Sequence, residues 1–438
     1  MTKAKLGWRD LADRRVALMV GLAFSTGLPY LLVLPTLALR LREAGVPVTY
    51  IGLFSWLGLA YSLKFLWAPI VDAVDVPWLA KKLGRRRAWL ITCQVFTAAA
   101  LVGLGLSDPA TGLFWTALFT FLAAFGAATQ DVVSDAWRID AAPDERQGIM
   151  VAAYQLGYRI AMLFAGAGAL YIAEFVSWRA SYATMAALLA VGVAAALLSP
   201  IVDRSPGDMR IAIRGIDFDR AVKEPLADLW RRIGPVLPWV LALMALYRVS
   251  DFLSGVMANP LYVDLGYTKV QIANVAKVYG IWISIVGAFA GGISVVRLGL
   301  FRTMLMGAAM QAISHLAFAW LSLQPPSIMA LTVAITADNF SLAYGGTALV
   351  TYMSALTGAG FTATQYALFS SLYALPGKVI AGGSGFVVAA WGYATFFSMT
   401  AALLIPVTAL LVFVRRAPSG GLTPPAKPEH PEAAAQVR

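Results

Sequence analysis

Charge is what this chain has least of. Of its 438 residues only 13% are Asp, Glu, Lys or Arg, while 59% are hydrophobic and the mean hydropathy is +0.72. A soluble chain carries roughly a quarter charged residues, so a water-soluble globular protein is excluded. Cysteine is nearly absent: Cys93 stands alone inside an apolar run, which removes any disulfide framework. Histidine occurs only at His315 and His430, and their separation excludes a His-based metal cluster or catalytic triad. No Walker loop is present to hold ATP, and no exposed loop pairs the acids that a membrane-embedded transferase needs. The sequence therefore predicts neither an enzyme nor a cofactor. No cleavable signal peptide is expected either. The first residues are charged (Lys3, Lys5, Arg9, Arg14, Arg15) and lack a small-residue cleavage site.

What is present is apolar sequence in long runs. Twelve segments, at roughly 16–39, 48–71, 88–107, 112–136, 147–173, 178–201, 236–262, 269–296, 301–322, 327–353, 363–390 and 392–414, are expected to span a bilayer as helices. Their continuity argues against a β-barrel, whose strands alternate. The longest polar gap, 202–235, splits the twelve into two sets of six. The expected organisation is thus a six-helix bundle over 1–201, a cytoplasmic linker over 202–235, a second bundle over 236–414, and a disordered, Pro- and Ala-rich tail over 415–438.

The net charge of +11 is explained by placement rather than by nucleic acid. With the amino terminus inside, 25 of the 34 basic residues fall on inside segments, and only Arg40, Arg42, Arg179 and Lys269 fall outside. That asymmetry predicts a multi-pass protein of the bacterial inner membrane with both termini cytoplasmic. The halves echo each other weakly. Gln147, Arg159 and the Gly166–Ala169 run are matched by Gln365, Lys378 and the Ala381–Gly385 run. This layout predicts an all-α polytopic membrane protein of the major facilitator fold, with twelve transmembrane helices in two six-helix bundles that rock about a midplane site.

Five cations (Lys64, Arg159, Arg248, Lys277, Lys378) and four acids (Asp131, Asp135, Asp251, Asp338) fall within spans. A charge in lipid is costly and points to function. Asp131 and Asp135 share one face of the fourth span and are the proton-coupling candidates. A permanent ion pair of Asp131 with Arg159 or Lys64 is the structural alternative. Arg248 and Asp251, three residues apart, are expected to pair. After pairing, one or two cations remain for an anionic ligand. Candidate binding residues are Lys64, Tyr61, Gln130, Tyr158, Arg159, Arg248, Asp251, Lys277, Asp338, Asn339 and Lys378. The loop after the second span offers a charge latch, Asp72 with Arg85, Arg86 and Arg87, though plain positive-inside anchoring explains the same arginines. His315 is expected to be a hydrogen-bonded packing residue. Pro29, Pro35, Pro260 and Pro376 are expected to bend their helices.

Several stretches together resemble the AmpG-type muropeptide permeases: residues 52–72, 83–90, 128–140, 156–171, 247–252, 287–292 and 361–379. The resemblance implies proton-driven import of anhydromuropeptides (GlcNAc–anhydroMurNAc with or without peptide) for peptidoglycan recycling, with an indirect link to β-lactam resistance. It implies Asp131 as the coupling acid, a polar core containing Lys64, Arg159, Arg248 and Lys378, and partners limited to substrate, protons and lipid, the chain acting as a monomer. A carrier for another bulky anion such as an acyl-CoA, or a drug exporter, is the alternative.

Overall fold

Backbone amides in lipid have no water to bond, so an apolar chain closes them within helices. The computed structural model describes residues 13–68, 71, 74–142, 147–201, 227–356 and 362–416, and among these every regular element is helical. In chain order they form α1 Arg14–Glu43, α2 Val48–Leu63, α3 Arg85–Leu106, α4 Leu113–Ala141, α5 Ile149–Phe175, α6 Trp178–Leu198, α7 Ala227–Asp264, α8 Lys269–Leu298, α9 Leu300–Leu321, α10 Ile328–Leu356, α11 Thr362–Ala381 and α12 Ser384–Arg416. Ten are long and apolar enough to cross a membrane, and Val48–Leu63 and Leu372–Ala381 are shorter apolar helices. These account for the twelve expected segments. α7 begins earlier than expected, so the end of the 202–235 gap is helical. The tail beyond Arg416 lies outside the described residues.

Side-chain caps fix several helix starts. Asp13 accepts from the Arg15 amide at 2.9 Å, Ser177 Oγ from the Ala180 amide at 3.1 Å, and Thr268 forms a capping box with Gln271. Regularity then breaks at particular places. Pro29 and Pro35 bracket a turn at Val33 and Leu34 that divides α1. π-helical turns occupy Phe164–Gly168 in α5 and Ala273–Tyr279 in α8, where such bulges often mark function. Arg248 sits at the joint between the two segments of α7, Leu237–Tyr247 and Val249–Asp264.

We call the end of the bundle holding the start of α1 and the end of α12 proximal, and the opposite end distal. The distal ends of both halves share one core, in which Leu28, Leu32, Leu37 and Ile51 from the first half join Met257, Leu261, Phe318 and Val388 from the second. At the proximal end the cores are separate. One gathers Leu18, Leu22, Val133, Trp137 and Met150, the other Val240, Met244, Tyr352, Phe369 and Leu411. Among the described residues the halves thus meet tightly toward the distal end and not at the proximal one. α2 lies close against the start of α12 and the residues before it: a Cβ on Gly385 would collide with the Val48 carbonyl oxygen, and one on Gly52 would stand 2.7 Å from that of Gly382. Small residues at such crossings let backbones touch where lipid supplies no hydrophobic drive.

Candidate functional site

In the first half, α4 and α2 bring opposite charges together. Asp131 Oδ2 accepts from Lys64 Nζ, and its Oδ1 accepts from Tyr154 Oη of α5 at 2.5 Å. The neighbouring Thr129 Oγ1 accepts from Trp67 Nε1 at 3.0 Å. Of the two cations open to Asp131 from the sequence, Lys64 is the one placed beside it. Arg159, on α5, is exposed and has no ion-pair or hydrogen-bond partner among the described residues. Asp135, one turn proximal, has a 43% exposed side chain and pairs with Arg138 at 3.6 Å. Gln130 turns the other way. It is fully buried, and its Nε2 donates to Ser25 Oγ at 2.7 Å and Thr26 Oγ1 at 3.1 Å, so it joins α4 to α1 instead of facing a ligand.

In the second half, α7, α9 and α10 hold a polar cluster. Arg248 Nε stands 3.3 Å from Asp251 Oδ2 without hydrogen-bond geometry, and its Nη1 donates to the Leu342 carbonyl at 3.2 Å. Gln311 Nε2 donates to the same carboxylate oxygen at 2.8 Å. His315 Nε2 lies 3.6 Å from Asp251 Oδ1. Asp338 lies within electrostatic reach of His315, Asp251 and Arg248. The expectation of a hydrogen-bonded His315 is corrected here: the ring is fully buried and neither nitrogen makes a hydrogen bond. Asn339 takes part in packing, accepting from Ser284 Oγ of α8 at 3.0 Å and donating to the Ile335 carbonyl at 3.2 Å.

A cavity of about 210 Å³ lies between the halves, bordered by Tyr30, Leu34 and Phe54 on one side and Asp251, Phe252 and Lys378 on the other. Lys378 donates to Ser62 Oγ of α2 at 2.7 Å and lies within electrostatic reach of Lys64. Two lysines from opposite halves are therefore neighbours, and among the described residues only Lys64 has an acid. Lys277 of α8 donates to Asn259 at 3.3 Å, again without an acid, and packs against Gly166 of α5. Four tyrosines line up across α1, α2 and α5. Tyr30 meets Tyr61 edge-on at 5.3 Å and Tyr158 at 6.4 Å, and Tyr158 stacks on Tyr154 at 6.0 Å. The Tyr61 hydroxyl is buried without a partner. Tyr30 was not singled out from sequence; its one cue is its place beside Pro29.

The expected latch divides. Asp72 lies outside the described residues. Arg85 pairs with Asp75 at 2.5 Å and Arg86 with Asp140 at 3.3 Å, while Arg87 Nε is buried without a hydrogen-bond partner. A second network, unforeseen from sequence, ties the halves at the distal end. Arg42 of α1 pairs with Asp264 of α7, which also accepts from Tyr393 at 2.8 Å. Lys269 of α8 lies 2.5 Å from Glu43 and 3.1 Å from Glu174. Among the described residues no three His, Cys, Asp or Glu side chains are placed to hold a metal.

Comparison with known proteins agrees with this geometry. Residues 17–381 match the Major Facilitator Superfamily. The chain is 35% identical over 405 residues to "Putative transporter AmpG 4" of Rickettsia conorii, covering 92% of this chain and 97% of that protein. It is 34% identical over 411 residues to the "Anhydromuropeptide permease" of Escherichia coli K12, covering 93% and 81%. Among solved structures, an inward-facing bacterial homolog of the human lysosomal transporter Spinster superposes with a TM-score of 0.65 at 15% identity, covering 94% of this chain and 98% of that one. With charges gathered where two helical halves meet, and with relatives named as transporters and permeases over nearly the whole chain, this is a multi-pass membrane transporter, and the chain belongs to the AmpG-type permeases of the Major Facilitator Superfamily.

Proposed function

We propose that the protein imports anhydromuropeptides, GlcNAc–anhydroMurNAc with or without peptide, across the bacterial inner membrane in symport with protons. The observation that carries this reading is the position of Lys64. It pairs with Asp131 and neighbours Lys378, whose own partner is a neutral hydroxyl. Protonation of Asp131 releases Lys64, and two adjacent ammonium groups then form a site for a carboxylate. Loss of the proton lets Asp131 recapture Lys64 and expel the anion. Proton and substrate thus favour each other's binding, which symport requires. The name of the Escherichia coli relative supports a muropeptide as the anion, and the tyrosines from Tyr30 to Tyr158 offer faces for sugar rings.

The proximal end is the cytoplasmic one on this reading, because the basic residues concentrate there. The shared distal core and the Arg42, Lys269 network then close the periplasmic side. The working unit is one chain, its two six-helix halves joined through 202–235. An exporter of lipophilic cations is disfavoured by the acid-free lysines Lys277 and Lys378.

The test is uptake of labelled GlcNAc–anhydroMurNAc-tripeptide into proteoliposomes with an alkaline lumen, with and without protonophore. The expected result is accumulation that the protonophore collapses, and its loss in Asp131→Asn with counterflow retained. Accumulation by Asp131→Asn under the same gradient would sink the coupling role. No uptake by the wild type, with uptake of an acyl-CoA in its place, would sink the substrate.

A further inference from the structure

We propose that His315, beside Asp251 and within electrostatic reach of Asp338, is a proton-binding site in the second half, separate from Asp131. Three observations converge on it. First, His315 is fully buried and both ring nitrogens lack hydrogen-bond partners, although Nε2 lies only 3.6 Å from a carboxylate oxygen. A buried polar group without a partner is costly. A proton turns this ring into a donor at both nitrogens, with two acids close by.

Second, the cluster's charges do not balance. Among the described residues Arg248 is its only permanent cation, and Asp251 and Asp338 are two acids. With His315 neutral and both carboxylates ionised, the cluster carries one net negative charge inside a membrane span. An uncompensated charge there is costly. One proton on His315 brings the cluster to neutrality.

Third, among the described residues the surroundings supply no other cation. α7 presents Arg248 and Asp251, with the neutral phenols of Tyr247 and Tyr262 nearby, the former donating to the Met304 carbonyl at 2.9 Å. α10 presents Asp338, and its Tyr344 reaches Met306 instead. α8 keeps Lys277 on Asn259 and Tyr279 on Thr336. α12 meets α9 through Phe397 stacked on Phe318 at 5.1 Å, and its Tyr393 is bound to Asp264. Proton access runs through Asp251, which borders the cavity between the halves and faces His315 with Oδ1.

Proton binding here stands independently of the substrate, and only its use in transport rests on the proton-coupled reading. In that use a second proton accompanies the one on Asp131. The chain has just two histidines, and His430 lies outside the described residues. His430→Ala protein labelled with 15N-histidine therefore reports on His315 alone in lipid bilayers by solid-state NMR. The expected result is an imidazolium signal that appears as pH is lowered from about 9 to about 5, with proton affinity at least about tenfold weaker in Asp338→Asn. Asp251→Asn is the second variant should the first fail to fold, with the same expectation. A ring that stays neutral over that range, or a midpoint unmoved by either substitution, overturns the proposal. Failed muropeptide uptake with a titrating ring overturns the proposed function instead and leaves this site standing.

Discussion

At Asp131 a carboxylate has its own cation, Lys64, and a tyrosine hydroxyl; at Asp251 a carboxylate meets one guanidinium and a bare imidazole, with a second carboxylate, Asp338, within electrostatic reach of both. Both clusters lie where the halves meet, yet they respond to a proton in opposite ways. On the proposed reading, a proton at Asp131 breaks an ion pair and sets a lysine free. At His315 a proton completes a charge balance that is otherwise one short. The first arrangement links protonation to anion binding, because the freed ammonium needs a new partner. The second links protonation to burial, since only the neutral cluster sits comfortably in a dry interface. Counting charged residues in spans does not separate these cases, since both look like acids beside cations.

The comparison breaks most visibly in stability. Asp131→Asn leaves Lys64 unpaired beside Lys378 and is expected to cost about 2 kcal/mol. Asp338→Asn removes the surplus charge and is expected to change stability by less than about 1 kcal/mol. Thermal unfolding of the two variants in the same detergent checks this, and equal losses would mean that the clusters are alike. Next in size, Lys378→Gln removes one of the two ammonium groups at the cavity. The KM for an anionic substrate should rise about tenfold while turnover is retained, the loss expected for one charge-assisted hydrogen bond. An unchanged KM would place the anion elsewhere, near Lys277 or Arg159. The smallest effect is expected at the distal network. Lys269→Ala removes contacts to Glu43 and Glu174 that are partly exposed, so about 0.5–1 kcal/mol of closure is lost. Spin-label distances between the distal ends of α1 and α7 should show a few-fold gain in the open population, and an unaltered distribution would show that the shared apolar core alone holds that end.

Much of the fold was legible because its signal is local. Continuous apolar runs longer than a bilayer leave little choice but helices, and the polar gap at 202–235 divides them. The Arg248–Asp251 pair was legible for the same reason, lying within one helical turn. Other features resisted. Gln130 adjoins Asp131 in sequence, but about 100° of helical rotation turns it toward Ser25 and Thr26 on α1. Glu43, Glu174 and Asp264 look like ordinary solvated helix ends until the two halves bring them to Arg42 and Lys269. His315 looked like packing because nothing near it in sequence is acidic; its acids come from α7 and α10.

The sequence by itself determined that this chain lives in a membrane as helices, that it is built in two halves, and which charges are carried into the lipid. Periodicity, length and composition are enough for that, since each acts within a single span. Which acid meets which cation was decided only by tertiary structure. Lys64, and not Arg159, stands beside Asp131, and Lys378 crosses to Ser62 of the other half. An ion pair forms only within about 4 Å, and residues far apart in sequence reach that distance only through the crossing and rotation of packed helices.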